Sequence, residues 1–193
     1  MSNKSHYRDK TPESISPADV PLESLPVIEL SANQLQRVAQ LAQQRNDSYR
    51  RIDGGVVFGD RRALENHLVG IVGELAVGKL YNIAIDTATY AYGDDGVDLE
   101  LAGMELDVKT TASKKARLPE LLVRADKPLR ADLYIRTYIL ELDKNTGTRV
   151  RVIGCASAER VATTEPRRHP GQRLNHVVEP SEMNLPPLIE KQI

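Results

Sequence analysis

The 193-residue chain has few of the residues that build several common kinds of functional site. Its one cysteine, Cys155, cannot form a disulfide within the chain or a thiolate metal site by itself. A single cysteine fits a reducing compartment, and we expect a cytoplasmic protein in which Cys155 is a small core residue. The chain has no tryptophan and one phenylalanine, so a platform of aromatic rings for stacking single-stranded bases is not expected, although seven tyrosines remain.

Long apolar runs and an excess of charge are missing as well. No stretch approaches the roughly 20 apolar residues that a membrane helix requires, and the polar N-terminus lacks the apolar core of a signal peptide. The net charge of -1 gives no overall basic character, so nucleic-acid binding would depend on a local patch. With 40% hydrophobic and 27% charged residues, the composition is that of a globular domain.

Proline divides the chain into two parts. Residues 1–26 contain Pro12, Pro17, Pro21 and Pro26 among serines and charged residues, with little periodicity. Such a segment cannot bury enough apolar surface to offset its loss of conformational entropy. We therefore expect a flexible N-terminal tail over residues 1–26 and a single domain over residues 27–193.

Apolar residues at helical spacing predict two long helices, over residues 31–50 and 60–81. Ser31 and Gln34 form a capping-box pattern at the start of the first helix. The second helix contains glycines that are poor helix formers, and we expect them to pack closely against a neighbouring backbone. They are Gly70, Gly73 and Gly78.

The rest of the chain is predicted to be mostly β structure, which gives the α/β class. We expect strands over residues 83–85, 97–101, 104–109, 133–142, 149–156 and 175–178. A helical turn is expected after Ser157, and residues 164–173 are expected to form an exposed loop.

The strands on either side of residues 102–103 form a hairpin with one apolar and one charged face. If these two residues are the whole turn, Leu101 pairs with Met104, and Asp98 lies directly opposite Asp107. Directly opposed side chains have Cβ atoms about 4.5–5.5 Å apart, and like charges there are destabilising. The arrangement therefore calls for a cation between the two carboxylates.

Carboxylate oxygens are the ligands that Mg²⁺ prefers, and Mn²⁺ can take similar sites. A divalent cation held by Asp98 and Asp107 can polarise a phosphate and lower the pKa of a bound water. Lys109 points the same way as Asp107 and can orient or deprotonate that water. Glu74 lies in an otherwise apolar helical stretch, where a buried charge needs a partner such as the metal or Lys109.

These residues resemble the PD-(D/E)XK nuclease superfamily, the fold of restriction endonucleases and many phage-type nucleases. The matching segments are Gly73-Glu74-Leu75, Gly96-Val97-Asp98-Leu99 and Leu106-Asp107-Val108-Lys109-Thr110, within residues 60–160. One departure is that Val97, rather than proline, precedes Asp98.

The resemblance implies a restriction-endonuclease-like fold, with a mixed central sheet flanked by helices. It implies a DNA endonuclease that hydrolyses phosphodiester bonds with Mg²⁺ as its cofactor. The metal ligands would be Glu74, Asp98 and Asp107, and Lys109 would lie near the attacking water. A homodimer that cuts both strands is expected by analogy alone.

The sequence also contains two clusters of basic residues. Lys114, Lys115 and Arg117 are candidate phosphate contacts, with a solvated loop as the equal alternative. A second cluster in the 164–173 loop is interpreted as solvated; it contains Arg167, Arg168, His169 and Arg173. Two alternatives apply to the whole protein. One is a nucleic-acid-binding protein that keeps the nuclease-like fold and does not cleave. The other is a structural or interaction protein, in which the hairpin charges and Glu74 face solvent.

Overall fold

Three α-helices and two β-sheets make up the described part of the molecule. The computed structural model describes residues 15–52, 61–85, 97–112, 117–143 and 145–187, and within these ranges the side chains of 45–52 and 61–63 are not described. The helices are α1 (Ala32–Ile52), α2 (Arg61–Tyr81) and α3 (Ala158–Thr163). The strands are β1 (Val27–Ser31), β2 (Leu99–Leu101), β3 (Met104–Thr111), β4 (Leu121–Arg124), β5 (Leu133–Asp143), β6 (Gly147–Ser157), β7 (Arg167–Arg168) and β8 (Leu174–Val178).

The larger sheet is mixed, which confirms the predicted α/β class. Its order is β1-β6-β5-β3-β2, with β3 parallel to β5 and every other neighbouring pair antiparallel. The smaller sheet is antiparallel and has the order β4-β8-β7.

The larger sheet lies between a layer of helices and the smaller sheet. On one face, helices α1 and α2 bury an apolar cluster that includes Val38, Ile71, Val72, Ile139 and Val150. On the other face, α3 and the smaller sheet bury a second cluster that includes Leu121, Tyr134, Ala156, Val161 and Val178. The long strands β5 and β6 each contribute to both clusters. In β5, alternation places Tyr134 and Ile139 on opposite faces. In β6, the register shift between Val152 and Gly154 does the same for Val150 and Ala156.

The two long helices begin and end close to their predicted limits. The capping box is present: the Ser31 backbone N–H donates to Gln34 Oε1 at 2.9 Å, and the Gln34 N–H donates to Ser31 Oγ at 3.3 Å. Helix α3 begins after Ser157, whose Oγ accepts from the N–H of Arg160 at 3.1 Å. None of the helices in the described ranges combines the length and hydrophobicity needed to traverse a bilayer.

Three strands were not predicted, and one predicted strand is absent from the described structure. The shortest of the three, β7, pairs with β8 inside the stretch 164–173 that was expected to be a loop. The other two are β1 and β4. β1 pairs with β6, and β4 pairs with β8, so each depends on a partner more than 50 residues away along the chain. Residues 83–85 form no strand; instead the Ile83 N–H donates to the Gly78 carbonyl at 2.9 Å and ends helix α2. Asn82 supplies the left-handed conformation at this end, with φ of 55°.

Part of the predicted N-terminal tail lies against the domain. Residues 1–14 are outside the described residues. The stretch from residue 15 to 26 contains two short 3-10 helices, and Ser16 Oγ donates to the Pro180 carbonyl at 2.9 Å. The Leu185 N–H donates to the Ile15 carbonyl at 3.0 Å. The segment also buries the side chains of Pro17 and Leu25, which its overall polar composition does not indicate.

Helix α2 is held directly against the larger sheet at Gly73. A Cβ atom at this position would lie 1.8 Å from Thr110 Oγ1 and 2.8 Å from Thr137 Oγ1. Those two hydroxyls are themselves hydrogen-bonded at 2.9 Å, so a side chain at position 73 would have to break their arrangement. At Gly70, one turn earlier, the nearest atom to an added Cβ is Glu74 Oε1 at 3.8 Å, which is an ordinary contact.

We therefore expect the same substitution at these two glycines to have opposite effects. Gly73→Ala should lower the free energy of unfolding by about 1–3 kcal/mol because it overpacks the contact with β3 and β5. Gly70→Ala should raise it by up to about 1 kcal/mol, because alanine is the better helix former. Urea unfolding followed by circular dichroism measures both, and a stabilised Gly73→Ala would contradict the close approach of helix and sheet.

Candidate active site

The candidate site lies along β3, beyond the point where its hairpin partner ends. β2 pairs with β3 through Leu101 and Met104 and ends at Leu99 and Leu106, which confirms the register predicted from the two-residue turn. The remaining residues of β3, as far as Thr111, have no β2 partner. This stretch contains Asp107 and Lys109.

Beyond the last paired residues of β2 and β3, Asp98 contacts β3 through both its backbone and its side chain. Its backbone N–H donates to the Leu106 carbonyl at 2.8 Å, although Leu106 is the register partner of Leu99. Asp98 therefore does not continue the ladder into the predicted direct pair with Asp107. Its carboxylate turns toward β3 instead, and Oδ2 accepts from the Val108 N–H at 2.6 Å. An Asp98 oxygen thus lies against the backbone between Asp107 and Lys109.

Asp107 and Lys109 form an ion pair on one face of β3. Lys109 Nζ lies 2.5 Å from Asp107 Oδ1, and the Asp107 side chain is nearly buried while the Lys109 side chain is about one-third exposed. Tyr134 is the register partner of Asp107 on β5. Burial, together with the nearby Asp107 charge, raises the pKa of Tyr134, so its phenol stays neutral at physiological pH.

Glu74 approaches the same region from helix α2. It is 5% exposed, and its Oε1 lies 3.8 Å from the position that a Cβ would take at Gly70. Gly70 lines one cleft together with Asp107 and Lys109. The alternative in which Glu74, Asp98 and Asp107 are solvent-facing residues is therefore wrong, because they are 5%, 8% and 6% exposed.

Asp107 and Lys109 open into a cleft of about 670 Å³ between the two sheets, which we call the inter-sheet cleft. The larger sheet contributes β3 and β5, the smaller sheet contributes β4 and β8, and helix α2 closes one side. Among the described residues that line it, one is acidic, Asp107, and five are basic. The basic residues are Lys109, Arg124, Lys127, Arg136 and Arg173.

Arg136 is a site residue that the sequence analysis missed. It is the register partner of Lys109 on β5, is 6% exposed, and donates from Nη1 to the Lys109 carbonyl at 3.0 Å. Burial lowers the pKa of Arg136 to about 10, against the opposing effect of the Glu120 carboxylate. The guanidinium therefore remains charged at neutral pH. A signal was present in the sequence, since Arg136 interrupts an apolar strand much as Glu74 interrupts an apolar helix.

The residues of the two predicted basic clusters differ in their positions and contacts. Lys114 and Lys115 lie outside the described residues. Arg117 forms an ion pair with Glu120, with Nη2 and Oε1 3.0 Å apart. In the second cluster, Arg167 pairs with Glu179 on the surface at 2.6 Å, whereas Arg173 lines the inter-sheet cleft.

The candidate site offers carboxylate oxygens as ligands for a divalent cation. Asp98, Asp107 and Glu74 are buried carboxylates, which are suitable oxygen ligands for Mg²⁺. Within the described ranges, however, no three or more histidine, cysteine, aspartate or glutamate side chains are grouped as a ready metal site. The predicted three-carboxylate metal centre therefore stays a prediction, and the Lys109 ammonium group forms an ion pair with Asp107.

Comparison of the chain with protein-family models, with curated proteins and with solved structures gave no match. The resemblance described from the sequence therefore remains a prediction that depends on the residues of this chain alone.

The hydrogen bond from Val108 to Asp98 predicts how the site responds to substitution. Asp98→Ala removes the acceptor from a buried N–H and should lower the free energy of unfolding by about 1–3 kcal/mol. Asp98→Asn keeps an oxygen acceptor and should cost less. Chemical unfolding of both variants in EDTA separates this backbone role from metal binding. Equal stability of the alanine variant and the unsubstituted protein would contradict it.

Proposed function

We propose that the protein is a Mg²⁺-dependent DNA endonuclease that hydrolyses phosphodiester bonds. The observation that carries this proposal is the placement of the Asp98 carboxylate on the backbone between Asp107 and Lys109, at the open edge of β3. This arrangement brings two buried acids and a lysine to one place, in the order that the PD-(D/E)XK resemblance requires.

Each residue has a role that its position supports. Asp98, Asp107 and Glu74 would hold the metal through their carboxylate oxygens. When bound, Mg²⁺ would polarise the phosphate and lower the pKa of a coordinated water. Lys109 is partly exposed in the inter-sheet cleft, where its ammonium group can orient the attacking water and offset negative charge on the phosphate.

The substrate assignment is supported by the charge of the inter-sheet cleft. Of its lining residues in the described part of the chain, five are basic and one is acidic, although the overall net charge is -1. Such a local excess of positive charge attracts a polyanion even when the whole protein is nearly neutral. The restriction-endonuclease-like fold and a homodimer that cuts both strands belong to the same proposal.

A second candidate is a nucleic-acid-binding protein that does not cleave. The basic lining of the inter-sheet cleft favours it as well, because electrostatic attraction to phosphates needs no metal. The existing Lys109–Asp107 ion pair would then be a structural element of the binding surface.

Cleavage of supercoiled plasmid DNA distinguishes the two candidates. We expect nicking in Mg²⁺ or Mn²⁺ and none in EDTA. Asp107→Asn and Asp98→Asn should abolish cleavage, and Lys109→Met should slow it by about 10²–10⁴-fold. The matched control is Glu100→Gln, since Glu100 lies exposed on the same hairpin, and its activity should equal that of the unsubstituted protein.

Metal binding is measured separately by calorimetric titration with Mn²⁺. Binding that is lost in Asp107→Asn and retained in Glu100→Gln supports the proposal. Cleavage that persists in EDTA or in Asp107→Asn would overturn it. DNA binding without any cleavage, and without Mn²⁺ binding, would establish the second candidate instead.

A further inference from the structure

Arg136 is a buried arginine whose hydrogen-bond donors are not all satisfied by the described residues. Its side chain is 94% buried, and Nε has no hydrogen-bond partner among the described residues. Its Nη1 is directed to a neutral carbonyl, that of Lys109. Glu120 is the carboxylate that acts on it, but Glu120 also pairs with Arg117 at 3.0 Å and lies 3.8 Å from His169 Nε2.

The position of Arg136 is fixed relative to the candidate site. In the parallel pairing of β3 with β5, Arg136 is the partner of Lys109 and Tyr134 is the partner of Asp107. Neighbouring strands lie about 4.8 Å apart, so Arg136 is next to the Lys109–Asp107 pair on the same face of the sheet. Because it lines the inter-sheet cleft, a ligand in that cleft would meet its guanidinium group beside Lys109.

On the opposite side of the inter-sheet cleft, the basic residues are less buried than Arg136. Arg173 and Lys127 are exposed, whereas Arg124 is engaged with Asp126. Long exposed cations contact phosphates with little geometric demand, while a guanidinium held by its surroundings binds phosphate oxygens with a fixed orientation. The cleft therefore combines one buried cation, Arg136, at its floor with two exposed ones, Arg173 and Lys127, at its rim.

We propose that Arg136 anchors a backbone phosphate of DNA at the floor of the inter-sheet cleft, with Arg173 and Lys127 contacting neighbouring phosphates. This rests on the proposed function for the identity of the polyanion. The phosphate adds a negative charge beside a guanidinium whose nearby carboxylate, Glu120, also pairs with Arg117, and it places the DNA backbone beside Asp107 and Lys109. Contacts of this kind position the substrate without reading its sequence.

The test is DNA binding in EDTA, where no metal is bound and no cleavage occurs. The probe is a fluorescein-labelled 20-base-pair duplex, measured by fluorescence anisotropy over a series of KCl concentrations. Arg136→Met should weaken binding at least about tenfold, since a charge-assisted hydrogen bond is lost. Arg136→Lys keeps the charge but not the planar fork, and it should recover part of the affinity.

Arg173 and Lys127 are exposed, so we expect substitutions there to leave the core folded. Arg173→Gln and Lys127→Gln should each reduce the slope of log affinity against log salt by about 0.9. Arg149→Gln is the matched control, because Arg149 is exposed and does not line the inter-sheet cleft, and it should leave the affinity and slope unchanged. A second duplex of unrelated sequence should show the same losses.

Each outcome decides the inference separately from the nuclease proposal. Unchanged binding in both Arg136→Met and Arg136→Lys would overturn the anchor even if the rim variants bind more weakly, as would an unsubstituted protein that does not bind the duplex. If thermal melting shows that Arg136→Met is unfolded, Arg136→Lys decides. Binding that depends on these residues, in a protein that does not cleave in Mg²⁺, would uphold the anchor and refute the nuclease.

Discussion

Strand β3 continues past its hairpin partner, and the candidate site depends on how the resulting backbone edge is satisfied. β2 is three residues long and β3 is eight, so the Val108 N–H lies beyond the β2 ladder. A buried N–H without an acceptor is costly, and the Asp98 carboxylate supplies the acceptor. The same hydrogen bond places the Asp98 carboxylate at Val108, between Asp107 and Lys109.

The helix above the sheet brings in the third acid by a different constraint. Gly73 lets α2 approach the Thr110 and Thr137 hydroxyls more closely than any side chain would allow. Glu74 follows Gly73 directly, so its position along the sheet is fixed by this contact. Gly73 is a poor helix former, but it helps to position the Glu74 side chain.

Local parts of this structure were predictable from the sequence. The alternation of residues around a two-residue turn gave the β2–β3 register, and the Ser31–Gln34 pair gave the start of α1. Arg136 was not predicted as a site residue, because its place beside Lys109 depends on the parallel pairing of β3 with β5. That pairing joins strands 27 residues apart and leaves no local periodic signal. The end of the ladder at Leu99, which turned Asp98 toward Val108, likewise depended on tertiary structure.

The two sides of the inter-sheet cleft come from different portions of the chain. Asp107 and Lys109 precede β4, whereas Arg173 and strand β8 come near the end of the described residues. During synthesis from the N-terminus, Asp107 and Lys109 emerge from the ribosome before the smaller sheet can assemble. The inter-sheet cleft is therefore completed only after β8 has been synthesised and has paired with β4.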